Sequence, residues 1–337
     1  NKMDLPEAHV KSTLDALQGM TERPLVLREV PIREGNEITG FIDLVSERAY
    51  QWTEGAPSNL IEVPDSANGR TEEERTQMLE SLADFNDDLL EQLLEDIIPE
   101  TDDVYKNLTN DLQDGAIVPV FFGSAEHENG IVRLLKALRH ETPEFTTTLD
   151  RLGLEADGED LAQVFKTQNG AQSGKLSLSR IWRGEFADGA HINGTRISGI
   201  FKMLGTQQNK ESKASAGQVV ALGRLDGVQT SDTLSASGET EGPEWPPFLT
   251  PVYALAIHAG RRDDEVKMAT AMSKIIEEDP SLSYGPNIDT GQHLLRGQGE
   301  THLRIVLDRL KNRNKLEVES HIPQVAYKES IRDKISQ

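Results

Sequence analysis

Asn1-Lys2-Met3-Asp4 and Ile117-Val118-Pro119-Val120-Phe121-Phe122-Gly123-Ser124-Ala125 are the two stretches on which the fold of this 337-residue chain turns. An ionised Asp has two acceptor oxygens and can take both donors of a guanine edge, N1–H and N2–H2. Asn can donate its amide hydrogens, and a Lys stem can lie along the flat face of a base. Adenine lacks that donor pair, so Asp4 would be the discriminating residue. The second stretch has strand character and ends in a turn of small residues, which can aim a backbone N–H at guanine O6. Beyond it, Ile131, Leu134, Leu135 and Leu138 fall at helical spacing and predict a helix packed back on a sheet. The plainer uses of the same residues are a solvated loop for Asn1 to Asp4 and a helix cap for Ser124.

The length around these two stretches suffices for two or three domains with cores of their own. No apolar run approaches the ~18 residues of a membrane span, and no charged-then-apolar leader is present, so a soluble, cytoplasmic protein without a membrane partner is expected. Zero cysteines exclude disulfides and thiolate metal sites, and no metal site is expected. A net charge of -22 argues against a generic grip on DNA or other nucleic acid. That charge is concentrated: residues 62–114 hold 17 acidic and 3 basic residues, a net of -14, whereas residues 259–337 hold 13 of each. Within the acidic segment Met78, Leu82, Phe85, Leu89, Leu90, Leu93 and Leu94 lie at helical spacing. One or two amphipathic helices with an acidic outer face are predicted, serving either as a solvated surface or as a docking face for a basic protein.

After Pro143 the texture changes to short alternating stretches bounded by glycine: Leu161 to Lys166, Lys175 to Trp182, His191 to Ile197, Ile200 to Met203, Gln218 to Leu222 and Asp232 to Leu234. A small β-barrel is the economical way to hide so many edges. Asn169-Gly170-Ala171-Gln172-Ser173-Gly174-Lys175 imitates a phosphate-binding loop. Asn169 replaces its first Gly, however, and Leu176 stands where Ser or Thr would meet magnesium, so a hairpin turn is expected. A third block reads βαββαβ: a strand at Tyr253 to Ile257, a helix from Asp263 to Glu278 with Val266, Ala269, Met272 and Ile276 inward, a hairpin, a helix from Glu300 to Lys311 and a last strand from Leu316 to Ser320. This predicts a ferredoxin-like sandwich. Gly297-Gln298-Gly299-Glu300-Thr301-His302-Leu303 leads into the second helix, read as a structural turn with a cap rather than a catalytic Glu300 and His302 pair. Lys311, Arg313 and Lys315 are read as a solvated helix end.

In this order the motifs resemble the middle of bacterial elongation factor G, a translational GTPase, over nearly the whole chain. Asn1-Lys2-Met3-Asp4 and Ser124-Ala125 correspond to that family's fourth and fifth guanine-site motifs, and Gly40-Phe41-Ile42-Asp43-Leu44 with the acidic stretch after it to the insertion between them. Arg180, Gly184, Gly189, Ala216-Gly217 and Thr230 to Leu234 resemble the second-domain barrel. Glu277-Glu278-Asp279-Pro280 and Gly297 to Leu303 resemble the third domain, and Pro323-Gln324-Val325-Ala326-Tyr327-Lys328-Glu329 the passage into the fourth.

The resemblance implies a multidomain α/β and β chain. Residues 1–145 would be the C-terminal part of a GTPase α/β domain with an acidic insertion at about 22–115. Residues 146–245 would be the barrel, 246–322 the ferredoxin-like α+β domain, and 323–337 a linker or the start of the next domain. It implies guanine-binding roles for Asn1, Lys2, Asp4, Ser124 and Ala125, GTP or GDP with Mg2+ in the intact parent, and the ribosome as partner, with the acidic insertion meeting a stalk protein. The family's phosphate loop, switches and catalytic His precede its Asn-Lys-x-Asp motif. This chain is therefore expected to hold no catalytic residue, to bind no nucleotide tightly and to be inactive alone. Three departures mark a divergent paralogue: Gln218 where the family has Asp after Ala-Gly, Ser231 in its Thr-Gly-Asp-Thr, and Glu126 after Ser124-Ala125. A non-enzymatic ribosome- or protein-binding module and another translational GTPase, of release or ribosomal-protection type, are the alternatives.

Overall fold

The computed structural model describes residues 1–5, 7–170 and 174–327; Ala171 to Ser173 of the hairpin tip and Lys328-Glu329 of the last motif lie outside them. The chain divides into two compact units, residues 1–151 and 152–337.

In the first unit, α1 (Val10–Gln18) precedes β1 (Leu25–Leu27), which pairs in parallel with β6 (Val118–Val120), Leu25 opposite Val118. Between them lie an antiparallel meander and three helices. The meander is β2 (Glu29–Glu34), β3 (Glu37–Asp43), β4 (Ala49–Thr53) and β5 (Ala56–Ile61); the helices are α2 (Asn68–Ala83), α3 (Asp87–Leu94) and α4 (Thr101–Gln113). After β6 come α5 (Ile131–Glu141) and α6 (Phe145–Arg151). One apolar cluster joins β1, the meander and the helices through Val26, Val30, Ile42, Leu44, Met78, Leu82, Leu89 and Leu108. Each such side chain removed from water is worth about 1.5–3 kcal/mol.

The helical periodicity of the acidic segment holds only in part. Met78, Leu82 and Leu89 are buried, but Phe85, Leu90 and Leu94 are exposed. The chain breaks helix at Asp84 to Asn86, and the Asn86 side chain accepts the Leu89 N–H at 2.9 Å as an N-cap. The break resets the rotational phase of α3 against the core. The helix expected to pack back on the sheet forms as α5, with Ala137 and Glu141 as its buried residues; Leu134, Leu135 and Leu138 are exposed. Among the described residues that sheet has two strands, too narrow a floor for an eleven-residue helix to bury a full apolar stripe.

In the second unit a six-stranded antiparallel sheet carries β7 (Leu161–Gly170), β8 (Gly174–Arg183), β12 (Ile200–Leu204), β13 (Gln207–Glu211), β15 (Val219–Gly223) and β16 (Thr233–Ser235), in the order β13-β12-β15-β8-β7-β16. A ribbon of β9 (Glu185–Ala187) with β14 (Lys213–Ser215) and a hairpin of β10 (His191–Ile192) with β11 (Thr195–Arg196) complete it. Backbone bonds from Asn193 N–H to Ser235 O and from Ser198 N–H to Gly223 O carry the surface from β16 through that hairpin back to β15. The enclosed cluster includes Val164, Ile181, Phe186, Ile200 and Leu222. His191 to Ile197, expected as one strand, is a tight hairpin: Asn193 and Gly194 have φ of 47° and 73°, the two-residue turn that Asn-Gly favours. β13 escaped the alternation pattern because all five of its residues are exposed. The phosphate-loop imitation is the β7–β8 hairpin, closing at Gly170 opposite Gly174.

The same unit continues with β17 (Tyr253–Ala259), α7 (Glu265–Glu278), β18 (Ser283–Pro286), β19 (His293–Gly297), α8 (Glu300–Asn314) and β20 (Val318–His321), in a sheet ordered β18-β19-β17-β20. This is the expected ferredoxin-like sandwich. On α7 the inward stripe is Met268, Ala271, Met272 and Ile275; Val266 and Ala269 are exposed. The helix starts two residues later than anticipated, after a 3-10 turn at Arg262–Asp264; Met272 faces inward as expected and Ile276 packs half-buried against the core.

Candidate functional site

The fold brings Asn1, Asp4, Ser124 and Ala125 together at the exit of β6. Asn1 Oδ1 accepts the Ala125 N–H at 3.0 Å and the Lys2 N–H at 2.8 Å, and the Met3 N–H donates to Gly123 O at 3.2 Å. Lys2 holds a left-handed backbone, φ 65°, which turns the loop so that Met3 is buried against Phe122, Phe41 and Ile38 while Lys2 and Asp4 stay exposed. The Ser124 hydroxyl, buried beside Asp4, falls short of a well-formed hydrogen bond. It nonetheless draws the Asp4 carboxyl below its ordinary range, helped by the backbone there. Gly123 is required sterically: a Cβ would stand 2.3 Å from Asn129 O, across the bridge in which the Ser124 N–H meets that oxygen at 3.0 Å. The Ala125 N–H of this turn is engaged by Asn1. An ionised Asp4 with an exposed carboxylate suits two donors on one edge of a ring.

Behind this turn lies a buried ionic seam that periodicity did not reveal. Arg28, fully buried, pairs with Glu141 of α5 at 2.6 Å. Arg133 of α5 bonds Asp43 of β3 and stands 3.7 Å from Glu29. The guanidinium carbons of Arg28 and Arg133 lie 5.2 and 5.4 Å from the centroid of the Phe121 ring. Glu29, 1% exposed, accepts the Phe122 N–H at 3.3 Å. Burial pushes its carboxyl up to about 8, against the pull of that N–H and of Arg133. The sequence signal was Arg28-Glu29 between apolar neighbours, two charges where a buried strand reads as hydrophobic.

In the second unit, the Gly297 to Leu303 motif and Asp279 meet. The His302 ring accepts the Gln298 N–H at Nδ1, 3.2 Å, which leaves Nε2–H to donate to Asp279 Oδ2 at 2.9 Å. Burial works against the Asp279 charge, but its bonds from Ser281 and His302 prevail and hold the carboxyl low. A Cβ on Gly297 would stand 2.7 Å from Leu303 and 3.0 Å from His302, so glycine is needed for the helix to seat. His302 therefore has the partner that sequence alone did not show, and its role is a joint between α7 and α8. Glu277 and Glu278, the residues before Asp279, bind the β7–β8 hairpin: Asn169 N–H to Glu278 at 2.7 Å and Lys175 Nζ to Glu277 at 3.3 Å. Arg313 donates to Asn169 O at 3.2 Å, while Lys311 and Lys315 are exposed. Among the described residues no group of three or more His, Asp or Glu side chains is placed to hold a metal ion.

Residues 161–237 match the family model for elongation factor G domain 2, and residues 248–322 that for elongation factor G domain III. This is an elongation factor G-like chain. An elongation factor G-like protein of Synechocystis is 42% identical over 98% of the chain, and an elongation factor G of Cytophaga hutchinsonii is 30% identical over 98%. The chain spans 50% of each of these relatives. A crystal structure of a Thermus thermophilus protein superposes with a TM-score of 0.79 at 28% identity, over 96% of the elongation factor G-like chain and 48% of that protein. The departures in the barrel acquire physical content here. Gln218 closes its turn by accepting the Ser215 N–H at 2.9 Å, whereas Ser231 sits at φ 85°, a backbone that favours the glycine it replaces.

Proposed function

We propose that the chain is the guanine-reading part, barrel and sandwich of an elongation factor G-like, ribosome-dependent GTPase acting in protein synthesis, at translocation or a related step. The observation that carries this reading is the joining of Asn1 and Asp4 to Ser124 and Ala125 across more than a hundred residues, in a chain whose later domains match elongation factor G. Asp4 takes the paired guanine donors, Asn1 holds the turn, Lys2 lies along the base, and Ser124 lies beside Asp4. GTP or GDP with magnesium is the cofactor of the full-length protein. Its phosphate chemistry is assigned to residues outside these 337, which include no glycine-rich phosphate loop.

Residues 1–145 then form the C-terminal part of the GTPase domain, with the insertion at about 22–115, residues 146–245 the barrel, 246–322 the sandwich and 323–337 the passage onward. Nucleotide state is relayed through the barrel and sandwich to a cytoplasmic ribosome. The acidic faces of α2 to α4 suit a basic contact on a stalk protein.

The deciding experiment is GTP hydrolysis by the full-length protein with and without ribosomes, beside the 337-residue chain. Strong stimulation of the full-length protein and no turnover by the shorter chain is the expected result. Absence of stimulation would favour a module that binds without nucleotide chemistry. Reversing the charge of Asp84, Asp87, Asp88 and Glu91 should weaken the stimulated rate; an unchanged rate would remove the stalk contact from the proposal.

A further inference from the structure

We infer that Glu29, on β2 within the acidic insertion, is a positioning residue for the guanine-reading turn, holding the Phe122 N–H so that Gly123, Ser124 and Ala125 stand at a fixed place beside Asn1 and Asp4. The inference rests on the guanine reading proposed above. It names what sets the turn rather than what touches the base.

The hydrogen bonds of the turn show why an outside acceptor is needed. β6 ends at Val120, so the strand ladder does not reach Phe122. The Ser124 N–H is held by Asn129 O and the Ala125 N–H by Asn1, both partners local to the site. The Phe122 N–H is held by a side chain 93 positions away in sequence, on β2. A buried N–H left unpaired costs about 1–3 kcal/mol, enough to shift a short turn to another conformation.

The acceptor is itself fixed. Glu29 is backed by Arg133, which is anchored on Asp43 of β3, and the preceding Phe121 ring is gripped between Arg28 and Arg133. Burying a carboxyl here stabilises less than an apolar side chain of the same volume would. What the carboxyl supplies is an acceptor at one place on a strand of the insertion. The turn is thereby tied to β2 through one hydrogen bond.

The test uses the full-length protein with GDP, and with inosine diphosphate, which lacks the 2-amino group, as the second probe. In Glu29→Gln the amide oxygen still accepts the Phe122 N–H, and GDP affinity is expected within about threefold of the parent. In Glu29→Ala the acceptor is gone; a loss of about tenfold or more in GDP affinity is expected, with a smaller preference for GDP over inosine diphosphate. A purely structural role would lower the melting point without changing that preference. Parental affinity and preference in Glu29→Ala, or an equal loss in Glu29→Gln, would overturn the inference while leaving the guanine reading standing. Failure of the unsubstituted protein to bind GDP would instead overturn the guanine reading. Should Glu29→Ala not fold, amide exchange decides: the Phe122 N–H should be protected in the parent and in Glu29→Gln, and rapid exchange in the folded parent would overturn the inference.

Discussion

The seam between β2, β3 and α5 in the first unit and the core of the sandwich in the second are both closed to water, and they are held by opposite means. The seam uses Arg28, Glu29, Asp43, Arg133 and Glu141. The sandwich core uses Met272, Leu295, Leu303, Val306 and Leu310. Apolar packing is non-directional and tolerates neighbours of similar volume, so it stabilises an element without dictating its register to a fraction of an ångström. Buried charges stabilise less on balance but impose direction, because each must meet its partner or remain exposed to its full desolvation cost. The directional device lies beneath the turn that the guanine reading requires to be placed accurately. The sandwich, whose proposed role is relay, is built for bulk.

The severest challenge to that contrast is at Arg28. Arg28→Ala leaves Glu141 buried without its cation and should destabilise the first unit by about 3–5 kcal/mol in denaturant titration, whereas Arg28→Met with Glu141→Leu should recover most of that. A double substitution as damaging as the single one would show that the pair itself, and not the orphaned charge, carries the stability. The matching cut in the sandwich, Leu295→Ala, should cost the second unit about 2–4 kcal/mol, with no apolar partner substitution able to restore it fully because a cavity remains.

A pH series separates the two regions further. Glu29 is raised to about 8 in the fold, facing Arg28, Arg133, Asp43 and the Phe122 N–H, and Asp111 is raised to about 6 by burial with Asp114 near it. Both bind protons more tightly when folded, so their contribution is full below the unfolded carboxylate range and is lost as pH rises, through about 6 for Asp111 and about 8 for Glu29. The first unit should therefore melt at lower temperature at pH 8.5 than at pH 5.5. Glu29→Gln should flatten the upper part of that slope, and a slope unchanged by the substitution would place the proton elsewhere. The smallest effect is expected in the barrel, where Ser231→Gly relieves a positive φ and should stabilise by about 0.5–1 kcal/mol. A destabilised variant would mean that the Ser231 side chain contributes more than its backbone costs.

The sandwich was legible down to its topology, since two helical stripes and four short apolar runs in the order βαββαβ leave few ways to pack. The barrel was legible in outline. β13 was not, because all five of its residues are exposed and backbone pairing carries no hydrophobic pattern; β9 and β14 bury one residue each, Phe186 and Ala214, and are too short for alternation to show. Phase was the recurring difficulty: the cap at Asn86 starts α3 afresh, and on α7 Met268, Ala271 and Ile275 are buried beside Met272 where periodicity had placed Val266 and Ala269.

At the site, Asn1, Lys2, Asp4, Ser124 and Ala125 were recognisable as residue types because the donors and acceptors they carry are local properties of the chain. That Asn1 takes the Ala125 N–H, that Lys2 turns left-handed to bury Met3, and that His302 finds Asp279 emerged only in three dimensions. The same holds for the buried seam. A charged residue in a sequence declares its cost in an apolar environment but not its partner, and Glu29, Arg28 and Arg133 meet theirs at separations of 93, 113 and 90 residues. Residue identity alone settles which groups must be satisfied. The folded chain settles by whom, because hydrogen bonds and ion pairs act over a few ångströms and only folding brings those atoms within reach.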